Sequence, residues 1–195
     1  MNRPKEGERA FVSFLEDIVG AGTAPDGGTR APRQRAAAAA LRRGLGKPAG
    51  TVAEMYPYVE PWLSPSTEAS KKVPYYTVAA LLAWHPLCWH DDDEPASPSN
   101  LGASFARLVA VDRDAEAAVE RRFVTLLDTR SEDLPQALRQ AVGLLRSRGV
   151  AINWTQLLAD LECWDRETRE VQRRWARAFW GGGSRANSDQ KEVED

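Results

Sequence analysis

Apolar residues recur along this chain every third or fourth position and almost never every second one. Phe11, Phe14, Leu15 and Ile18 set the pattern. It returns at Leu101, Phe105, Leu108 and Val109, at Ala115, Val119, Phe123, Leu126 and Leu127, and at Leu134, Leu138, Ala141, Val142 and Leu145. Trp154, Leu157, Leu158, Leu161 and Trp164 follow, then Val171, Trp175, Ala178 and Phe179. A helix of 3.6 residues per turn gathers such positions into one buried stripe, whereas a half-buried strand needs strict alternation. The spacing predicts an all-α chain: a single bundle of about eight or nine helices without a sheet.

The breaks between stripes carry turn chemistry. Gly20 to Gly28 reads as a Gly/Pro loop, and Thr29 with Pro32 opens a second helix that runs through Ala36–Ala40 and stops near Gly44. A short piece is expected at Val52–Met55, and Pro57 and Pro61 are expected to keep Tyr56–Leu63 irregular. Tyr75 to Trp84 is apolar on nearly every side and reads as a buried helix. Pro86 to Pro98 is a polar loop, Gly149 a helix-ending glycine, and Asn153 with Gln156 a capping pair. Residues 1–180 therefore read as one helical domain, and 181–195, rich in Gly, Ser and acids, as a disordered acidic tail.

Several classes are set aside early. The longest apolar run, Val78 to Trp84, falls far short of the roughly 20 residues a membrane helix needs, so no membrane partner is expected. No apolar segment follows the basic N-terminus, as a secretory signal would require. Two cysteines, Cys88 and Cys163, make no disulfide framework, which suits a cytoplasmic protein. Residues 41–48, Leu-Arg-Arg-Gly-Leu-Gly-Lys-Pro, only faintly suggest a phosphate loop: Leu41 stands where the first glycine belongs, and Pro48 replaces the magnesium-holding hydroxyl. His85, Cys88, His90 and Cys163 are all the His and Cys in the chain. They read as packed thiols and helix-end or loop histidines rather than a zinc site. Asp91-Asp92-Asp93-Glu94 reads as a solvated loop rather than a magnesium site. No catalytic residue, metal or cofactor is assigned, and no enzymatic activity is expected.

The net charge of −2 hides a segregated distribution. Gly28 to Gly50 holds six cations and no acid, and Leu134 to Ala159 holds Arg139, Arg146 and Arg148 with no acid. Arginine supplies 21 of the 26 cations, and its planar fork suits phosphate. The candidate nucleic-acid-binding residues come from these stretches, from the pair before Phe123 and from Arg166–Trp180, where five arginines face two glutamates. Arg42, Arg43 and Lys47 close the alanine-rich helix and its turn; Arg121 and Arg122 sit beside Phe123. Arg139 and Arg146 rim an apolar stripe with Arg148 at its end, and Arg173, Arg174 and Arg177 lie off the stripe of the last helix. The alternative for each pair is a solvated face or an internal bridge to Glu116, Glu120 or Glu170. The tryptophans read as packing anchors, not base-stacking platforms. Backbone-only binding through about six phosphates predicts a roughly thousandfold loss of affinity between 50 and 200 mM salt.

Ordered signatures then point to a family. They include 40–44 (ALRRG), 56–59 (YPYV), 80–86 (ALLAWHP), 101–108 (LGASFARL), 120–123 (ERRF), 139–145 (RQAVGLL), 153–161 (NWTQLLADL) and 171–176 (VQRRWA). In order and spacing they resemble the small, all-helical CasB subunit of the type I-E CRISPR surveillance complex, Cascade. The resemblance implies a non-catalytic helical subunit that pairs as a dimer within the complex. It implies contacts to other Cascade subunits, to guide RNA and to the target and displaced DNA strands, with stabilisation of the open R-loop. Cutting would belong to a separate nuclease-helicase. The arginines inside the matching stretches are Arg42, Arg43, Arg107, Arg121, Arg122, Arg139, Arg173 and Arg174. These groups are expected to converge into one continuous electropositive track. A pure assembly module, its arginines paired with neighbouring subunits, is the alternative.

Overall fold

The computed structural model describes residues 3–21, 31–89 and 99–181. Among these described residues nine α-helices make up the frame: α1 (Glu6–Val19), α2 (Pro32–Arg42), α3 (Tyr56–Val59), α4 (Ala69–Trp84), α5 (Leu101–Val111), α6 (Glu116–Leu127), α7 (Leu134–Ser147), α8 (Trp154–Leu161) and α9 (Glu170–Gly181). The extended pairing among the described residues is one parallel bridge between Cys88 and Ile152, so the expectation of helices without a sheet holds.

Helix α4 is the axis. Tyr76 and every residue from Val78 to Ala83 are buried, and α1, α2, α7 and α8 pack around it. Each fully buried Leu or Val contributes about 1.5–3 kcal/mol by leaving water, and one continuous cluster links residues of α1, α2 and α4 to α9. Trp154, Trp175, Phe11, Phe105 and Phe123 are its largest fully buried members. The helix begins six residues before the expected Tyr75, and Pro74 lies inside it. Tyr56–Leu63 also departs from expectation: it forms α3 and a 3-10 turn at Glu60–Trp62, following another at Ala53–Met55. Pro57 and Pro61 occupy first-turn positions, where a missing N–H leaves no bond unmade.

The helix ends obey local chemistry. Gly149 takes φ 65°, and the N–H groups of Gly149 and Val150 reach back to the Arg146 and Leu145 carbonyls, so α7 closes with a left-handed cap. Asn153 Oδ1 accepts the Gln156 N–H at 2.8 Å and starts α8. Helices α5 and α9 approach so closely that a Cβ on Gly102 would lie 2.0 Å from the Trp175 carbonyl oxygen. No helix among the described residues is long and apolar enough to cross a membrane. The expected loops at 22–28 and 90–98 and the tail beyond Gly181 lie outside the described residues.

Candidate nucleic-acid interface

Helix α7 organises the basic surface. Leu134, Leu138, Ala141, Val142 and Leu145 are buried on one side. At 100° per residue, Arg139 and Arg146 fall together on one shoulder, about 10 Å apart along the axis. Ala137, Gln140 and Leu144 fall on the other shoulder, and Gln136, Gly143 and Ser147 on the ridge between. The helix carries no acid.

The first shoulder is built with α2 and α4. A cleft of about 380 Å³ is lined by the Gly44–Ala49 turn, by Thr77, Ala80 and Leu81 of α4, and by Gln136 and Arg139. Gly46 has φ 71°, and a Cβ there would lie 2.7 Å from Arg139 Nη1, so the bare backbone lets the guanidinium rest on the turn. Lys47 lines the same cleft. Two acid-free segments distant in sequence thus meet, with exposed Arg42 at the end of the helix leading in. Farther along, the Arg146 guanidinium lies 5.2 Å from the Trp84 ring centroid, and a Cβ on Gly143 would come within 3.1 Å of that ring. Glu132 is the one acid on the margin of the cleft. Gly44 is a packing glycine: its Cβ would strike Met55 Sδ at 2.3 Å. Its turn follows a helix rather than opening one, unlike a phosphate loop.

The second shoulder faces α6. Arg122, Thr125 and Leu126 line a groove of about 430 Å³ with Ala137, Gln140 and Leu144, floored by Phe105. Arg121, beside it, points away from the buried Val119–Phe123–Leu126 stripe. Both arginines are exposed, and neither makes an ion pair among the described residues. Arg173 and Arg177, one turn apart on α9, are exposed as well. Arg107 of α5 stacks over Trp89, its guanidinium carbon 3.4 Å from the ring centroid.

Three expected contact residues are held by internal carboxylates instead. Arg148 donates to Asp112 Oδ2 from Nε at 3.0 Å and from Nη2 at 2.6 Å. Arg174 donates to Asp160 at 2.5 Å, and Arg43 pairs with Glu54. Asp160 is fully buried and also accepts from Trp175 Nε1 at 2.6 Å and Gln156 Nε2 at 2.8 Å. Burial pushes its carboxyl up; the guanidinium and the other two donors pull the opposite way. Arg174 is therefore a structural ion, and so in part is Arg148. Arg43–Glu54 is exposed on both sides and exchanges easily with solvent. The partners also differ from those expected: Glu120 accepts from Trp180, and Glu170 approaches Arg166. The single track expected from sequence is thus two shoulders on either side of an acid-free ridge, with a separate patch on α9.

Sequence reasoning passed over some participants. Gln136, Gly143 and the Trp84 face belong to the surface, and the clue was the acid-free outer arc of α7. Arg169, at φ 49°, donates to the Leu127 carbonyl at 2.6 Å and to Asp128 at 3.2 Å, closing α6; no local pattern announces it. The metal alternatives are narrowed by packing. His85 is buried, donates from Nε2 to the Val150 carbonyl at 2.7 Å, and has its pKa lowered chiefly by burial. Burial pushes the Cys88 thiol up, as packing against the apolar core does. No metal-ligating group of three or more occurs among the described residues; His90 and Asp91–Glu94 lie outside them.

Comparison with known proteins gives one consistent outcome. A family model described as CRISPR-associated protein Cse2 matches residues 37–180. The CRISPR-associated protein Cse2 of Thermus thermophilus is 36% identical over 160 residues, covering 82% of this chain and 87% of that protein. The crystal structure of CasB from M. ruber is similar with a TM-score of 0.71 and 30% identity, over 97% of this chain and 99% of that one. A chain of a CRISPR RNA-guided surveillance complex is similar with a TM-score of 0.69 and 25% identity, over 93% and 98%.

Proposed function

This chain belongs to the Cse2 family, and from that premise we propose that it is the small, non-catalytic subunit of a type I-E Cascade complex in the cytoplasm. It holds DNA and RNA by their backbones and steadies the R-loop during RNA-guided antiviral defence. The observation that carries this reading is the meeting of Lys47 and Arg139 at one cleft, continued by Arg146 along a helix without acids. Guanidinium and ammonium groups on a neutral ridge attract phosphate without discriminating bases. Opening a duplex against a guide is nearly balanced in energy, so a few such contacts to the displaced strand tip it. Arg42, Arg121, Arg122, Arg173 and Arg177 extend the basic surface; Arg107 joins it through its stack on Trp89. The partners are the other Cascade subunits, guide RNA, the target and displaced strands, and a second copy of this chain.

The test is an R-loop assay with the reconstituted complex, with and without this chain. Omission lowers R-loop yield, and the full chain carrying Lys47→Ala, Arg139→Ala and Arg146→Ala restores the complex but not the yield. Full rescue of the yield by that variant would overturn the backbone-binding reading, and failure of the variant to join the complex would assign the basic surface to protein assembly instead.

A further inference from the structure

The root of the acidic tail is fastened to the turn of α6 that carries Arg121 and Arg122. Trp180, in the last turn of α9, donates Nε1–H to Glu120 Oε1 at 3.1 Å, and its ring lies 5.7 Å from that of Phe123, edge to face. Glu120 and Phe123 are the residues on either side of the arginine pair. Phe179 packs 4.5 Å from Phe123 as well, so the end of α9 is held on α6 by two rings and a hydrogen bond. Fourteen residues follow Gly181, and Asp189, Glu192, Glu194 and Asp195 lie in the last seven against Lys191 alone.

Reach is not limiting. Asp189 stands eight residues beyond Gly181 and spans up to about 28 Å when extended, several times the width of one helix turn. A short tether also holds its charges at an effective concentration on the order of millimolar near the anchoring point. Glu120 does not neutralise the arginines locally, because neither makes an ion pair among the described residues while Glu120 accepts from Trp180. Four carboxylates are therefore within chain reach of two guanidinium groups that make no ion pair among the described residues.

We propose that residues 189–195 dock as an internal polyanion mimic on the Arg121–Arg122 shoulder and compete there with nucleic acid. This rests on the backbone-binding reading above. The tail raises the threshold for stray DNA and yields to a strand held in place by the rest of the complex. Because the contact is between solvated charges, it weakens as salt rises past a Debye length of about 10 Å at 0.1 M.

The experiment compares four proteins: wild type, a tail variant (Asp189→Asn, Glu192→Gln, Glu194→Gln, Asp195→Asn), the arginine double variant (Arg121→Ala, Arg122→Ala), and the tail variant carrying both arginine changes. The probe is a fluorescent single-stranded oligodeoxynucleotide. At about 50 mM salt the tail variant binds roughly three- to tenfold tighter than wild type. That gain shrinks at higher salt and vanishes when both arginines are alanine. An unchanged affinity on neutralising the tail, with DNA still bound, overturns this proposal and leaves the function standing. An equal gain in the alanine background overturns it too, since the tail would then act by bulk charge. Loss of all DNA binding in wild type and tail variant alike overturns both readings.

Discussion

Two arginine environments divide this molecule. In the seam between α8 and α9, Arg174 is largely buried and locked to a carboxylate that water does not reach. On the shoulder of α7, Arg139 and Arg146 are exposed, touching a glycine turn and a tryptophan face. The side chain is the same, but desolvation decides its work. A guanidinium beside a buried Asp160 is fixed for the life of the fold, whereas one on an acid-free helix keeps its donors for a partner. Charge counting along a sequence treats the two alike, and the fold separates them.

The comparison breaks first at Asp160. Asp160→Ala strands the Arg174, Trp175 and Gln156 donors and costs about 3–5 kcal/mol, read as a fall in the urea midpoint at constant slope. A loss below about 1 kcal/mol would mean the seam is not held by this carboxylate. Gly102→Ala tests the other side of α9, where it packs on α5, by shape. The added methyl meets the α9 backbone, which cannot swing aside like a side chain, and stability falls by about 1–3 kcal/mol or more. A neutral outcome would place α5 and α9 farther apart than described.

A pH titration sharpens the contrast between buried and exposed cations. Burial lowers the pKa of His85 below its ordinary value of 6.5, so the unfolded chain takes up the proton first as acid is added. Stability is full above pH 6.5 and declines as pH drops from there towards the folded-state value. His85→Gln flattens that segment of the stability curve; an unaltered curve would assign the acid sensitivity to other groups. At the small end, Lys47→Ala, Arg139→Ala and Arg146→Ala each change stability by no more than about 0.5 kcal/mol. Larger losses in thermal melts would move them into the structural class with Arg174.

Much of the frame was legible because helices with one buried face write their period into the sequence. The stripe of α7 and the caps at Gly149 and Asn153 stand where the residues placed them. The start of α4 was not, because Ser70, Lys71 and Lys72 carry no stripe and Pro74 reads as a breaker. The site was half legible. Arg139 and Arg146 could be set on a helix rim from spacing alone. The partners of Arg174 and Arg148 could not, since Asp160 lies 14 residues from its arginine and Asp112 lies 36 from its own. Only tertiary packing brings those carboxylates in, and nothing local to Gly102 or Gly46 signals the group that passes over it.

The most direct test of the α7 surface is the salt dependence of DNA binding by the full chain and by its Lys47→Ala, Arg139→Ala, Arg146→Ala variant, on two oligonucleotides of unrelated sequence. Each phosphate contact removed should lower the slope of log K against log salt by about 0.7–0.9, so the variant loses roughly two to three units, equally on both sequences. An unchanged slope, or a loss confined to one sequence, would contradict backbone recognition by this helix.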